Sequence, residues 1–259
     1  MQFLADLRER FASLGMAGWA MILAAPFIGS FLGVVIRRLP DGVPLSRARS
    51  RCEECGARLR PRDLVPLFSW LAARGRCNYC GAQLGWFYPG VELAALAVAL
   101  VSVAADRGLW AWLDCLFGWW LLALGWIDLR RMILPDVLTL PLIVAGLAAA
   151  LWSPQHLTAR ALGAVLGYLS LAGIAFLYRR LRGRDGLGGG DPKLFAAAGA
   201  WVGALALPSV LFLAASLALA AAAVAIAAGH RLRRNSALPF GPFLALASWL
   251  VYLFGPFYF

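Results

Sequence analysis

The sequence predicts an all-α polytopic integral membrane protein of about eight transmembrane helices with one folded loop domain. Three observations carry this. Of 259 residues, 62% are hydrophobic and only 14% are charged, against about 25% charged in ordinary soluble domains. Mean hydropathy is +0.75, and the apolar residues form long blocks, not narrow amphipathic stripes. Basic residues, finally, are confined almost wholly to one alternate set of connecting loops. The 11 Trp and 15 Phe leave no tract poor enough in hydrophobics for disorder. In a bilayer core only helices and closed barrels satisfy their backbone groups, and blocks of this length read as helices.

Eight hydrophobic segments are expected at about 17–36, 89–105, 109–127, 133–151, 159–178, 192–207, 209–228 and 238–258. The second and sixth are shorter than the ~20 residues of a perpendicular span, and fusing neighbours would give six or seven. Pro208 separates the sixth segment from the seventh. The first runs into Arg37-Arg38 and is too long for the h-region of a cleavable signal.

Eight spans divide the charge cleanly. Of the 24 basic residues, 23 Arg and Lys193, all but Arg8, Arg10, Arg107 and Arg160 lie in loops 37–88, 128–132, 179–191 and 229–237 or just beyond them. Such loops stay cytoplasmic. Both termini are therefore expected outside. The net charge of +11 follows from topology, with acidic lipids as its partner and no nucleic acid.

The expected organisation is a first helix within 1–36, a loop domain at 37–88 and a seven-helix membrane part at 89–259. The loop has four prolines (Pro40, Pro44, Pro61, Pro66) and little aliphatic content, so it needs a staple. Its cysteines supply one. Cys52-Glu-Glu-Cys55-Gly-Ala-Arg-Leu59 repeats as Cys77-Asn-Tyr-Cys80-Gly-Ala-Gln-Leu84, two knuckles that suit a tetrahedral Zn²⁺ held by Cys52, Cys55, Cys77 and Cys80. Bound metal contributes roughly 10 kcal/mol to folding such a segment. Two disulfides are the rival reading, disfavoured in a reducing cytoplasm; a redox dithiol would not need a duplicated pair. Cys115, alone in an apolar span, reads as packing.

The 13 acidic residues are few enough for position to matter. Asp128 ends the third span and Asp191 opens the sixth after Gly186-Leu-Gly-Gly-Gly, both at the expected cytoplasmic face. Paired carboxylates that share a proton suit water activation, one taking a proton from water while the other donates to a carbonyl oxygen. The alternatives are a helix cap for Asp191 and for Asp136 after Pro135, and an ion pair of Asp128 with Arg130 or Arg131. Glu92 and Asp114 read as packing or capping. The Gly188-Gly-Gly-Asp191 run lacks the strand and spacing of a phosphate cradle. His156 and His230 fall on opposite sides, and no Gly-x-Ser-x-Gly occurs. Gly29/Gly33, Gly163/Gly167 and Gly199/Gly203 read as helix-packing faces.

Taken in order, these residues resemble the bacterial type IV prepilin peptidases (leader peptidases/N-methyltransferases). The stretches are Gly29-Ser-Phe-Leu-Gly-Val-Val-Ile-Arg-Arg-Leu-Pro40, the two cysteine pairs with Val65-Pro-Leu-Phe-Ser-Trp-Leu71 between them, Arg74-Gly-Arg-Cys77, Tyr88-Pro-Gly-Val-Glu-Leu93, Ile127-Asp128-Leu, Leu134-Pro-Asp136 and Gly188-x-Gly-Asp191 with Lys193. The resemblance covers nearly the whole chain. It implies an inner-membrane aspartyl protease that removes the short basic leader of type IV prepilins or type II secretion pseudopilins after a Gly, leaving an N-terminal Phe. The catalytic aspartates would be Asp128 and Asp191; Asp136 matches a family position that is not catalytic. Bifunctional members also methylate the new α-amine with S-adenosylmethionine, an activity associated with the cysteine loop. Two positions depart from the family's usual pattern: Gly33 stands where Asn is usual, and Glu53 where Pro is. Both lie in the region linked to methylation, so proteolysis is the better supported activity. A non-enzymatic assembly factor docking partners through the loop, and a proton-coupled transporter, are the readings from other classes. The transporter needs carboxylates near mid-bilayer, and these sit at span ends.

Overall fold

The computed structural model describes residues 14–45, 50–105, 109–152, 157–183, 186–229 and 239–257. Among them, eight helices occupy the eight expected segments: α1 (Met16–Arg38), α3 (Phe87–Ala105), α4 (Leu109–Arg131), α5 (Asp136–Ala149), α6 (Leu157–Arg182), α7 (Asp191–Val202), α8 (Leu207–Ala227) and α9 (Gly241–Phe254). A further short helix, α2 (Phe68–Ala72), lies in the loop domain. No strand occurs among the described residues beyond two isolated bridges. Five helices are long and apolar enough to cross a membrane; α5, α7 and α9 are shorter. The fold is the expected all-α polytopic membrane protein. His156 and His230 lie outside the described residues.

The boundaries follow local chemistry. Pro135 delays α5 to Asp136, because a proline cannot donate within a helix but is tolerated at its start. The break between α7 and α8 falls at Gly203, five residues before the expected Pro208. There the backbone turns left-handed, with φ 83°, a conformation glycine adopts without a Cβ penalty. Pro208 instead sits in the first turn of α8, where its missing N–H costs nothing. Helix α4 continues past Asp128 to Arg131, so Asp128 lies inside the helix and not at its end.

The chain forms two compact units, Met1–Trp119 and Trp120–Phe259. In the first, buried residues of α1 recur every three or four positions, at Gly18, Met21, Ala25, Gly29 and Gly33. That stripe lets α1 lie close on α3. A Cβ at Gly29 would stand 2.6 Å from the Glu92 Cα, so only glycine permits the approach. Trp119 Nε1 donates to the Ala95 carbonyl at 2.9 Å and ties α4 to α3. Cys115 is buried with its Sγ 4.0 Å from the Met21 sulfur, the packing role expected of it.

In the second unit every residue of α7 except Lys193 is buried. Its partners explain why so short a helix is stable. A Cβ at Gly163 would meet the Gly199 carbonyl oxygen at 2.4 Å, and one at Gly167 the Phe195 oxygen at 2.6 Å. Helix α6 therefore packs on α7 backbone to backbone through the expected small residues. On α5, Trp201 Nε1 donates to the Leu142 carbonyl at 3.0 Å. On α9, the Trp201 and Tyr252 rings meet edge to face at 5.5 Å.

Candidate active site and metal centre

The chemistry-bearing residues collect at two places, one in each unit. In the second unit, Asp128 and Asp191 are both buried, 6% and 5% exposed. Asp191 is the first residue of α7, behind Gly190 at the N-cap. It does not cap the helix through its side chain. Its Oδ2 instead accepts the Gly188 N–H at 3.0 Å, while its own N–H donates to the Gly188 carbonyl at 3.1 Å. The glycine run is thus a tight loop folded onto the carboxylate it precedes. Asp128 Oδ2 accepts the Gly241 N–H at the start of α9, at 3.0 Å. The two carboxylates are close enough for their charges to act on each other.

Gly241 is a residue the sequence reading missed. A Cβ there would fall 2.6 Å from Asp128 Oδ2, so glycine is what brings a backbone donor against the acid. The signal was present in Pro239-Phe-Gly-Pro-Phe243, a break of three Pro/Gly in five residues at the same end of the bundle as Asp128.

Asp136 does not cap α5 through its side chain either; it accepts from Lys193 Nζ at 2.6 Å. That ion pair joins the first turns of α5 and α7. Beside it, the space over Gly190 is filled by Leu134, which a Cβ at 190 would meet at 2.6 Å. The Leu134-Pro-Asp136 turn therefore braces the loop that presents Asp191.

In the first unit, the two knuckles fold alike. Cys52 N–H bonds to the Ala57 carbonyl and Gly56 N–H to that of Cys52; Cys77 and Ala82, and Gly81 and Cys77, repeat the pattern at 2.8–3.0 Å. The closing glycines have φ 68° and 74°, which an L side chain resists. The four Sγ atoms of Cys52, Cys55, Cys77 and Cys80 lie within 4.8 Å of one another, and all four thiols are free. Tetrahedral thiolate sites with metal–sulfur bonds of ~2.3 Å have sulfur–sulfur edges of about 3.8 Å. The cluster can hold a metal ion, and its side chains form no disulfide. Hydrogen bonds from the Cys55 and Glu54 backbone lower the Cys52 thiol to about 7. Cys80, despite the Ala82 N–H that favours its thiolate, is pushed up to about 12 by desolvation and by sharing hydrogen bonds with the other three thiols.

Asp63 fastens the second knuckle to the segment between them. It accepts the Arg60 N–H at 3.0 Å, the Tyr79 hydroxyl at 2.8 Å and the Asn78 amide at 3.1 Å. Those donors, the Arg60 N–H foremost, hold its carboxyl below the usual range, and the Tyr79–Asp63 bond raises the Tyr79 hydroxyl. This bracket too was not foreseen.

The two departures noted above meet at one place. The Gly33 face is covered by Tyr88, whose ring a Cβ would meet at 2.7 Å. Arg37 lies over the Phe87 and Tyr88 rings, 4.6 and 4.9 Å from their centroids, and pairs with Glu53. Glu92 accepts the Leu67 N–H at 2.8 Å and the Ser30 hydroxyl, a structural staple consistent with the packing role expected of it.

Comparison with known proteins gives a consistent outcome. Residues 23–105 match the bacterial peptidase A24 N-terminal domain, and residues 115–224 the type IV leader peptidase family. The prepilin leader peptidase/N-methyltransferase of Burkholderia pseudomallei (strain K96243) is 41% identical, over 96% of this chain and 90% of its own length. Those of Dichelobacter nodosus and Dickeya chrysanthemi are 39% and 42% identical, each over 88% of this chain and 88% and 89% of theirs. No solved structure matches. At this identity, over nearly the whole length of its relatives, the chain belongs to the type IV leader peptidase family.

Proposed function

We propose that this chain is a membrane aspartyl endopeptidase of the bacterial inner membrane. It removes the leader from type IV prepilins or type II secretion pseudopilins at the cytoplasmic face and methylates the new N-terminal amine with S-adenosylmethionine. The carrying observation is the pair of buried carboxylates, Asp128 and Asp191, each oriented by a glycine N–H. Like charges in a sheltered site disfavour double ionisation, which leaves one acid and one base. The ionised carboxylate takes a proton from water as its oxygen attacks the scissile carbonyl carbon. The protonated partner donates to the carbonyl oxygen, giving a neutral tetrahedral diol. On collapse the hydroxyl returns its proton, the C–N bond breaks, and the first carboxyl hands the water-derived proton to the leaving amine. The glycine donors hold each acid in place while the second oxygen of each does the transfer.

Cys52, Cys55, Cys77 and Cys80 would hold a structural Zn²⁺. When bound it contributes folding energy to the loop. The arginine asymmetry supports a cytoplasmic loop domain and active site with periplasmic termini.

The test is mass spectrometry of a prepilin co-expressed with the wild-type chain, Asp128→Asn or Asp191→Asn. Wild type should yield a shortened pilin carrying one extra methyl group. Either variant should lower cleavage by about 10²–10⁴-fold, the worth of a positioned acid or base. Undiminished processing in both variants would sink the dyad and favour the non-enzymatic assembly factor. Leader loss without methylation would leave a monofunctional peptidase.

A further inference from the structure

The loop between α1 and α3 carries an uncovered apolar surface that the catalytic reading does not use. Phe68 and Leu71 are 73% and 63% exposed, and Trp86 is 70% exposed. Phe68 and Leu71 stand three apart on α2 and so share a helix face. Three contacts, two of them made by Trp70, set where this surface sits relative to the start of α3. Leu67 N–H donates to Glu92 Oε2 at 2.8 Å. Glu92 is buried five residues into α3, and helical side chains lean toward the N-terminus. Its carboxylate therefore stands at about the first turn of the span, and the start of α2 is held at that level. Leu67 itself has φ 60°, with the Phe68 N–H closing a γ-turn on Pro66 at 2.6 Å. Trp70 lies against Trp86 with ring centroids 4.3 Å apart, and Trp86 immediately precedes the span. Trp70 Nε1 donates to the Leu84 carbonyl. Paired tryptophans at a helix entry mark the headgroup level.

Charge identifies the occupant. Arg60, Arg62, Arg74 and Arg76 flank this segment and are exposed, while no acidic residue occurs from Leu64 to Val91. Asp63, at its edge, is taken up by Arg60, Asn78 and Tyr79. We propose that Val65–Leu71 is a membrane foot of the tetracysteine loop: Phe68 and Leu71 enter the headgroup–acyl boundary of the same bilayer that holds α1 and α3, and the flanking arginines bind anionic lipid headgroups. Interfacial segments with apolar anchors and a basic rim bind in this way. A basic leader peptide, the other candidate for an apolar patch here, is repelled by that rim. The foot sets the height of the metal loop above the membrane and stands whether or not Asp128 and Asp191 are catalytic.

The experiment uses the full-length, metal-loaded protein in nanodiscs containing phosphatidylglycerol, with a co-reconstituted prepilin. A photocrosslinking phenylalanine analogue replaces Phe68, Leu71 or, as control, the exposed Glu54 on the first knuckle. Both foot side chains are exposed, so the replacements leave the packing intact; retained metal verifies it. Intact-mass spectra should show lipid adducts at 68 and 71 several-fold above those at 54, increasing with the anionic lipid fraction. Lipid labelling no higher at 68 and 71 than at 54, labelling indifferent to anionic lipid, or adducts to the prepilin in place of lipid would overturn the proposal.

Discussion

Gly241 carries as much of the proposed chemistry as an acidic side chain does. Its N–H orients Asp128, and a methyl group at its Cα would fall 2.6 Å from the carboxylate oxygen, closer than contact allows. Because that oxygen is the end of a movable side chain, Gly241→Ala should displace the acid without unfolding α9. A misplacement of ~1 Å at a reacting group costs on the order of 10²-fold. We therefore expect cleavage of a prepilin peptide to fall about 10²-fold, with an unchanged circular dichroism spectrum. Full activity in Gly241→Ala would show that the Asp128 geometry is not limiting. Arg160 teaches a similar lesson. The charge pattern counts it among the few outer arginines, yet it is buried and its Nη1 donates to the Gly146 carbonyl at 3.2 Å. A cation near the end of α5 complements the helix dipole, so this arginine serves packing as well as topology.

Among the elements, α7 shows how a helix of 12 residues holds its place. It is enclosed by α5, α6 and α9, and its contact with α6 is between main chains. A Cβ at Gly163 would lie 2.4 Å from the Gly199 oxygen and 2.9 Å from backbone atoms of Gly203 and Ala204. No flexible side chain can yield there, so the two helices must separate. Gly163→Ala should destabilise the membrane unit by roughly 1–3 kcal/mol, the usual cost of overpacking, seen as a lower Tm in detergent. Gly173→Ala, on the same helix with open space around it, is the control and should leave Tm unchanged. Equal melting of the two would mean that α6 and α7 do not rely on this approach. The glycine pairs announced these interfaces through their spacing alone. The break at Gly203 was not legible, because Gly and Pro stood close together and nothing local ranks one over the other.

For the whole molecule, metal and membrane divide the labour of folding. The loop domain has few buried side chains besides Cys52 and Cys77, so its order depends on the cysteine cluster, Asp63 and its ties to α3. The unit Trp120–Phe259 has a core of its own. Removing the metal with a strong chelator should loosen the knuckles so that trypsin cuts after Arg58 and Arg76, while the helical circular dichroism signal stays nearly constant. Protection that survives complete metal loss would show the knuckles to be stable unaided. Composition and period alone pointed to eight apolar blocks, alternate basic loops, a duplicated cysteine knuckle and two acids expected at one face. The blocks, loops and knuckles are short-range or solvent-driven patterns, set by bilayer thickness, loop charge and metal geometry. It took the folded chain to reveal that Gly241 orients Asp128, that Asp136 belongs to Lys193, that Glu92 reaches out to Leu67, and that Gly33, Tyr88, Arg37 and Glu53 meet. Each of these joins residues distant in sequence through one or a few specific contacts, and such contacts leave no periodic trace in the chain.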